Sequence, residues 1–167
     1  MQDYTCEKCG KTHNELPSIG FAEPFHYQIL NEKEKEEIAV INDDLCRIEH
    51  EDQTDYFIRA VLQLQILDHD ETLDYGIWVS VSENTFKEYF LQMENDQPEE
   101  KTYFGMLCNW IGDYKTDTIG LHMNVETQLG KKRPILVPHE STHPLILDWE
   151  NGISYEEVER RIAKAFG

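Results

Sequence analysis

From Tyr56 onward the chain alternates apolar and polar residues with a period of two. Tyr56, Ile58, Ala60, Leu62, Leu64 and Ile66 fall on one face, and Arg59, Gln63 and Gln65 fall on the other. Successive side chains of an extended strand point to opposite sides, so this segment reads as a half-buried strand over 56–67. The pattern recurs over 75–81, where Tyr75, Ile77, Val79 and Val81 face inward and Trp78 and Ser80 face outward. It recurs again over 118–129, where Ile119, Leu121, Met123, Val125 and Thr127 oppose His122, Asn124, Glu126 and Gln128. Three further strands are predicted: 42–49 with Leu45, Cys46 and Ile48, the apolar and buried run 102–111, and a short edge-compatible stretch over 134–137.

After Ser82 the period changes. Phe86, Tyr89, Phe90 and Met93 stand at i, i+3, i+4 and i+7, which predicts a helix over 83–94 with its aromatic stripe on the sheet. Ser82 reads as its N-cap, and Glu83 suits the positive end of the helix dipole. Ser154 to Glu157 reads as a capping box opening a last helix, with Tyr155, Val158, Ile162 and Ala165 as its buried stripe. Glu156 with Arg160 and Glu157 with Arg161 are i, i+4 pairs in the favourable order. A short charged helix is predicted over 31–38, and loops over 16–24 and 139–144. Clean alternation without regular strand–helix–strand units points to an α+β fold: one domain over 1–167, mostly an antiparallel sheet, with two to three helices. Residues 1–20 form a knuckle-like N-terminal segment, and residues 40–167 supply the sheet and helices.

Charge changes the list of partners. Lys and Arg number 15 against 33 Asp and Glu, a formal net charge of −18. Such a field repels nucleic-acid phosphates and anionic membranes; it favours a basic protein partner or serves only the solubility of an acidic cytosolic protein. No basic region followed by an apolar run opens the sequence, and no apolar stretch is long enough to span a bilayer. With four cysteines and no visible secretion signal, a reducing cytoplasm is the expected compartment.

The spacing with the most specific chemistry is Cys6-Glu7-Lys8-Cys9-Gly10 followed by His13. Two thiols at i and i+3 can turn onto one ion, and a glycine after the second helps backbone N–H groups face the sulfurs. Tetrahedral zinc needs four ligands. Cys6, Cys9 and His13 supply three, with His26 as a substitute for His13, and Cys46 is the preferred fourth, with Cys108 or a histidine as alternatives. Other readings of the same residues are a Cys6–Cys9 disulfide, free thiols, or a metal with an open position. A second candidate is the polar sheet face. If the alternating strands share a sheet, Arg59, Trp78 and His122 lie together with Gln63, Gln65, Ser80, Asn124 and Glu126, as a ligand or partner face or as a solvated face with Trp78 covered. The loop His139-Glu140-Ser141-Thr142-His143-Pro144 carries nucleophile and base types without triad geometry, and His143-Pro144-Leu145 reads as a turn locking the last helix to the sheet.

The landmarks Cys6-x-x-Cys9-Gly10-x-x-His13 with Leu16-Pro17, Asp44-Leu45-Cys46-x-Ile48, Tyr56-Phe57-Ile58-Arg59, Gly76-Ile77-Trp78-Val79-Ser80, Tyr103-Phe104-Gly105-x-Leu107-Cys108, Arg133-Pro134 and His143-Pro144-Leu145 with Gly152-Ile153-Ser154 run almost end to end. As a set the chain resembles the bacterial domain of unknown function numbered 2199. The resemblance implies a bacterial cytosolic protein of one domain, and it favours Cys46 as the fourth ligand because the Leu-Cys element belongs to the family pattern. The expected function is a non-enzymatic binding protein with a structural zinc, of which an immunity or antitoxin-like protein neutralising a basic toxin is one form. The alternative is a zinc-dependent hydrolase with an open metal position.

Overall fold

Two of the alternating segments become the longest strands, the third shortens to His122–Glu126, and all three belong to a sheet that closes on itself. The computed structural model describes residues 4–5, 12–13 and 16–167. In chain order these hold β1 (Tyr4–Thr5), β2 (Thr12–His13), β3 (Ile19–Gly20), α1 (Phe25–Gln28), α2 (Glu32–Ile38), β4 (Ala39–Ile41), β5 (Leu45–Glu49), β6 (Thr54–Gln65) and β7 (Thr72–Val81). There follow α3 (Glu83–Glu94), β8 (Thr102–Leu107), β9 (His122–Glu126), β10 (Ile135–Pro138), α4 (Pro144–Asn151) and α5 (Tyr155–Phe166). No helix among the described residues is long and apolar enough to cross a membrane.

β6 and β7 form a long antiparallel hairpin, from Tyr56 opposite Val81 to Gln65 opposite Thr72. β7 pairs with β8, β8 with β9 and β9 with β10, all antiparallel. Ile135 of β10 then pairs in parallel with Val61 of β6, closing a five-stranded barrel. Closure runs through that one pair and through two pairs between β7 and β8, Val79 with Leu107 and Ser80 with Met106. β5 and β4 extend the sheet from the first half of β6, and β3 runs parallel to β7 at Tyr75 and Gly76. The inward positions expected from the alternation fill the barrel: Ile58, Ala60, Leu62, Leu64, Tyr75, Ile77, Val79, Met123 and Val125 are buried in one cluster. Gly105 lets β8 approach closely, since a Cβ there would lie 3.0 Å from Val125 Cγ2 and 3.1 Å from the Ser80 carbonyl oxygen.

The α+β class stands, with two corrections. The mostly antiparallel sheet closes into a barrel with extra strands, which the expectation did not include, and the described residues hold five helices rather than two or three. α1 is a single turn after Pro24, too short to leave a periodic signal. α4 occupies the stretch read as a turn. Pro144 is its first residue, a position whose N–H has no intrahelical partner. His143 caps it, its Nδ1 accepting the Leu145 N–H at 3.0 Å, while its Nε2 lies 3.1 Å from the Asp117 carbonyl oxygen.

The two long helices follow their caps but differ in their faces. Ser82 Oγ accepts the Thr85 N–H at 3.1 Å. Tyr89 is buried and Phe86 packs on Tyr56 with ring centroids 4.9 Å apart, whereas Phe90, expected inside, is exposed. In α5, Ser154 Oγ accepts the Glu157 N–H at 3.1 Å. The Glu157 carboxylate turns to the arginines instead of completing a capping box, accepting from Arg160 Nη2 at 2.6 Å and Arg161 Nε at 2.8 Å. The buried face is Val158, Arg161 and Ile162, and Ala165 is exposed.

Hydrogen bonds from Arg160 first, and then Arg161, hold the Glu157 carboxyl down at about 2. A carboxyl depressed by folding contributes stability that is present above its ordinary value of about 4.3 and lost as pH falls through its folded value. Between about pH 4.5 and 2 the native chain should therefore lose about 1–2 kcal/mol more stability than Glu157→Gln, after allowance for solvent screening. Urea unfolding across that pH range measures the difference.

Candidate functional site on the outer barrel face

The register fixes which outward residues are neighbours. Arg59 stands opposite Trp78; Phe57 stands opposite Ser80, Ser80 opposite Met106 and Met106 opposite His122; Phe104 stands opposite Asn124. Arg59, Trp78 and His122 thus share the outer face, as the alternation predicts. The face is divided, however, into a covered part and an open part.

The covered part lies under residues 20–30. Trp78 is fully buried, and its indole Nε1–H donates to the Phe21 carbonyl oxygen at 3.0 Å. Asn109 bridges the layers: its Oδ1 accepts the Trp78 N–H at 2.9 Å and its Nδ2 donates to the Glu23 carbonyl oxygen at 2.9 Å. The Phe25 N–H donates to the Cys108 carbonyl oxygen at 2.8 Å. Trp78, Phe57, Ile48, Cys46 and Cys108 form a second small core, against which Phe21, Tyr27, Leu30 and Ile38 pack. The Arg59 guanidinium sits 5.8 Å from the Trp78 ring centroid. Burial, with Arg133 nearby, lowers the Arg59 pKa. Trp78 is therefore withheld from solvent, and Arg59 lies half-buried over its ring.

Of the four metal ligands expected from the sequence, Cys6 and Cys9 lie outside the described residues, as does the side chain of His13. Cys46 is buried in the second core together with its alternative, Cys108. Burial pushes both thiols up to about 12, Cys46 being raised further by Glu23 and Cys108. Only a thiolate is an efficient nucleophile. Cys46 and Cys108 should resist a thiol-reactive disulfide in the folded chain and react fully in guanidinium, a difference that absorbance of the released thiolate measures. Among the described residues, no three His, Cys, Asp or Glu side chains gather as a metal-binding group.

The open part begins where the cover ends. His26 in α1, the alternative nitrogen ligand, stacks on Phe57 with ring centroids 5.4 Å apart and planes at 29°. Beyond it the row Phe57–Ser80–Met106 opens into a groove of about 760 Å³, lined also by Asp55, Tyr56, Glu83 and Phe104. Phe104 and Met106 are large apolar side chains left 48% and 39% exposed. Acidic groups stand around this apolar floor. Asp55 lies 3.2 Å from His50 Nε2. Glu83 lies 2.7 Å from Lys87 Nζ, and the hydrogen bond from Lys87 keeps its carboxyl below the ordinary range. An apolar floor with acidic flanks suits an extended segment that carries an apolar anchor between cationic side chains.

Sequence reasoning placed His122 on this face but missed Phe57, Phe104 and Met106. The run 102–111 reads as uniformly apolar, yet β8 alternates: Gly105 and Leu107 are buried while Phe104 and Met106 face out. Parity counted from Gly105 carries that signal. His139, read as loop, prolongs the β9–β10 ladder, its N–H donating to the His122 carbonyl oxygen at 3.0 Å.

No curated protein and no solved structure matches the chain. A family model described as an uncharacterized protein conserved in bacteria (DUF2199) matches residues 5–153, and the chain belongs to that family.

Proposed function

We propose that the protein is a non-enzymatic binding protein whose partner is a basic protein segment docked in the groove on the outer barrel face. The observation that carries this reading is the exposure of Phe104 and Met106 at the open end of an otherwise covered row. Exposed apolar side chains clustered beside a groove are the usual core of a docking surface, and the net charge of −18 selects a basic occupant and speeds its arrival. Neutralisation of a basic toxin, as an immunity or antitoxin-like protein performs it, is one activity that this surface suits.

The test is a titration of the isotope-labelled full chain with a short synthetic peptide alternating Lys or Arg with Leu or Phe. Amide shifts should concentrate at Phe57, Ser80, Phe104 and Met106, and affinity should fall as salt rises. Shifts confined to other surfaces would overturn the assignment.

A structural zinc held by Cys6, Cys9, His13 and Cys46 is proposed alongside it. Its support is the place of Cys46 beneath residues 20–30, the segment that follows the CxxC motif. The thiolates and imidazole would fasten that cover onto the barrel wall, a closed site with no chemical step. Metal analysis of untagged chain should find about one zinc, lost or weakened in both Cys6→Ser and Cys46→Ser. Full retention in both would reject the staple.

A further inference from the structure

Past the end of β10 the ladder continues by one residue. Pro138 stands opposite Met123, and the next pair is His139 with His122. Both side chains are exposed. Their ring centroids lie 6.0 Å apart with planes at 88°. Phe104 lies against both rings, at 5.2 Å from His122 and 5.6 Å from His139. His139 Nε2 is 2.7 Å from Asn124 Oδ1. An amide oxygen only accepts, so in this hydrogen bond Nε2 is the donor, and Nδ1 is the nitrogen left for a metal.

We propose that His122 and His139 form a two-imidazole chelate for a divalent transition-metal ion on the outer rim of the barrel. A ligating nitrogen about 2.0–2.1 Å from the metal places its ring centroid about 3.2 Å away, so two rings on one ion have centroids about 5–6 Å apart, the wider spacing belonging to wider ligand angles. The observed spacing of 6.0 Å lies at the upper end of that range. The hydrogen bond from His139 to Asn124 is the kind of outer contact that fixes the tautomer and orientation of a metal-bound imidazole. Asn124 is thus a positioning residue. With two protein ligands, the remaining coordination positions face solvent and are free for water or for a donor on a docked partner. Imidazole ligands suit copper, nickel and zinc, and the order of affinity should put copper ahead of nickel and both far ahead of manganese.

The test uses the full chain carrying Cys6→Ser and Cys9→Ser, which removes the competing thiols. Nickel is titrated by calorimetry and by the NMR signals of the histidine ring protons. The wild-type pair should bind about one nickel per chain, broadening His122 and His139 before His13, His26, His50, His69 and His143. His122→Ala and His139→Ala should each weaken binding at least about 10-fold, and Asn124→Ala about 10-fold. Unchanged affinity in both histidine variants, or even broadening of all the histidines, would overturn the chelate. Unchanged affinity in Asn124→Ala alone would remove the positioning role.

Discussion

Trp78→Ala should cost about 3–5 kcal/mol of folding stability, the range for truncating a large buried aromatic side chain. Trp78 is the largest fully buried side chain, and it joins two layers rather than filling one. Its ring lies in the second core with Cys46, Phe57 and Cys108, and its indole N–H holds the Phe21 carbonyl. The variant leaves a cavity under residues 20–30 and an unpaired carbonyl in their backbone. Trp78→Phe keeps most of the apolar volume but loses the indole donor, so it should cost about 1–3 kcal/mol. Guanidinium unfolding gives the energies, and hydrogen exchange gives their location. The Phe21 and Phe25 amides, which donate to Gly76 and Cys108, should exchange faster in Trp78→Ala than those of the barrel interior. A loss below about 1 kcal/mol would mean that Trp78 does not tie the cover down.

Arg161→Met should be as damaging, at about 3–5 kcal/mol, for an electrostatic reason. The guanidinium is only 4% exposed and gathers four partners. Its Nη1 donates to the Tyr75 hydroxyl at 3.2 Å and to the Tyr114 hydroxyl at 3.0 Å. Its Nε reaches Glu157 at 2.8 Å and its Nη2 reaches Asp148 at 3.3 Å. Tyr114 in turn donates to Asp148 at 2.6 Å. Removing the cation takes the only guanidinium partner from Asp148 among the described residues, leaves Glu157 with Arg160 alone, and leaves two buried hydroxyls without their shared donor. Arg161→Lys keeps the charge but not the planar fork of donors, so it should recover only part of the loss. Guanidinium unfolding of the two variants measures this. A neutral Arg161→Met would show that the network contributes nothing net.

The inward half of the barrel is legible in the sequence because a period of two states directly which residues leave water. Ile58, Ala60, Leu62 and Leu64 alternate without a break, and so do Tyr75, Ile77 and Val79. The outward half is not legible in the same way. Trp78 and Phe57 occupy positions that alternation assigns to solvent, and they are buried because residues 20–30, distant in sequence, fold over them. Barrel closure rests on the pairing of Ile135 with Val61, which no local pattern announces. Arg161 reads as a surface charge because burial of a guanidinium depends on acceptors from Tyr75, Tyr114 and Asp148, all far away in the chain. At the candidate site the sequence placed His122 correctly on the outer face. It hid Phe104 and Met106 inside an apolar run whose two faces differ only once β7 and β9 are in place.

The docking surface is tested most directly by two double variants of equal charge. Phe104→Asp with Met106→Asp places two carboxylates in the groove, and Phe90→Asp with Leu91→Asp places two on α3, where both side chains are also exposed. Each takes the net charge from −18 to −18 − 2 = −20, so the long-range attraction for a basic peptide is the same in both. Affinity for the basic–apolar peptide should fall at least about 10-fold, about 1.4 kcal/mol, in the groove pair and stay within about 2-fold in the helix pair. Equal affinities in the two pairs would contradict a partner site on the outer barrel face.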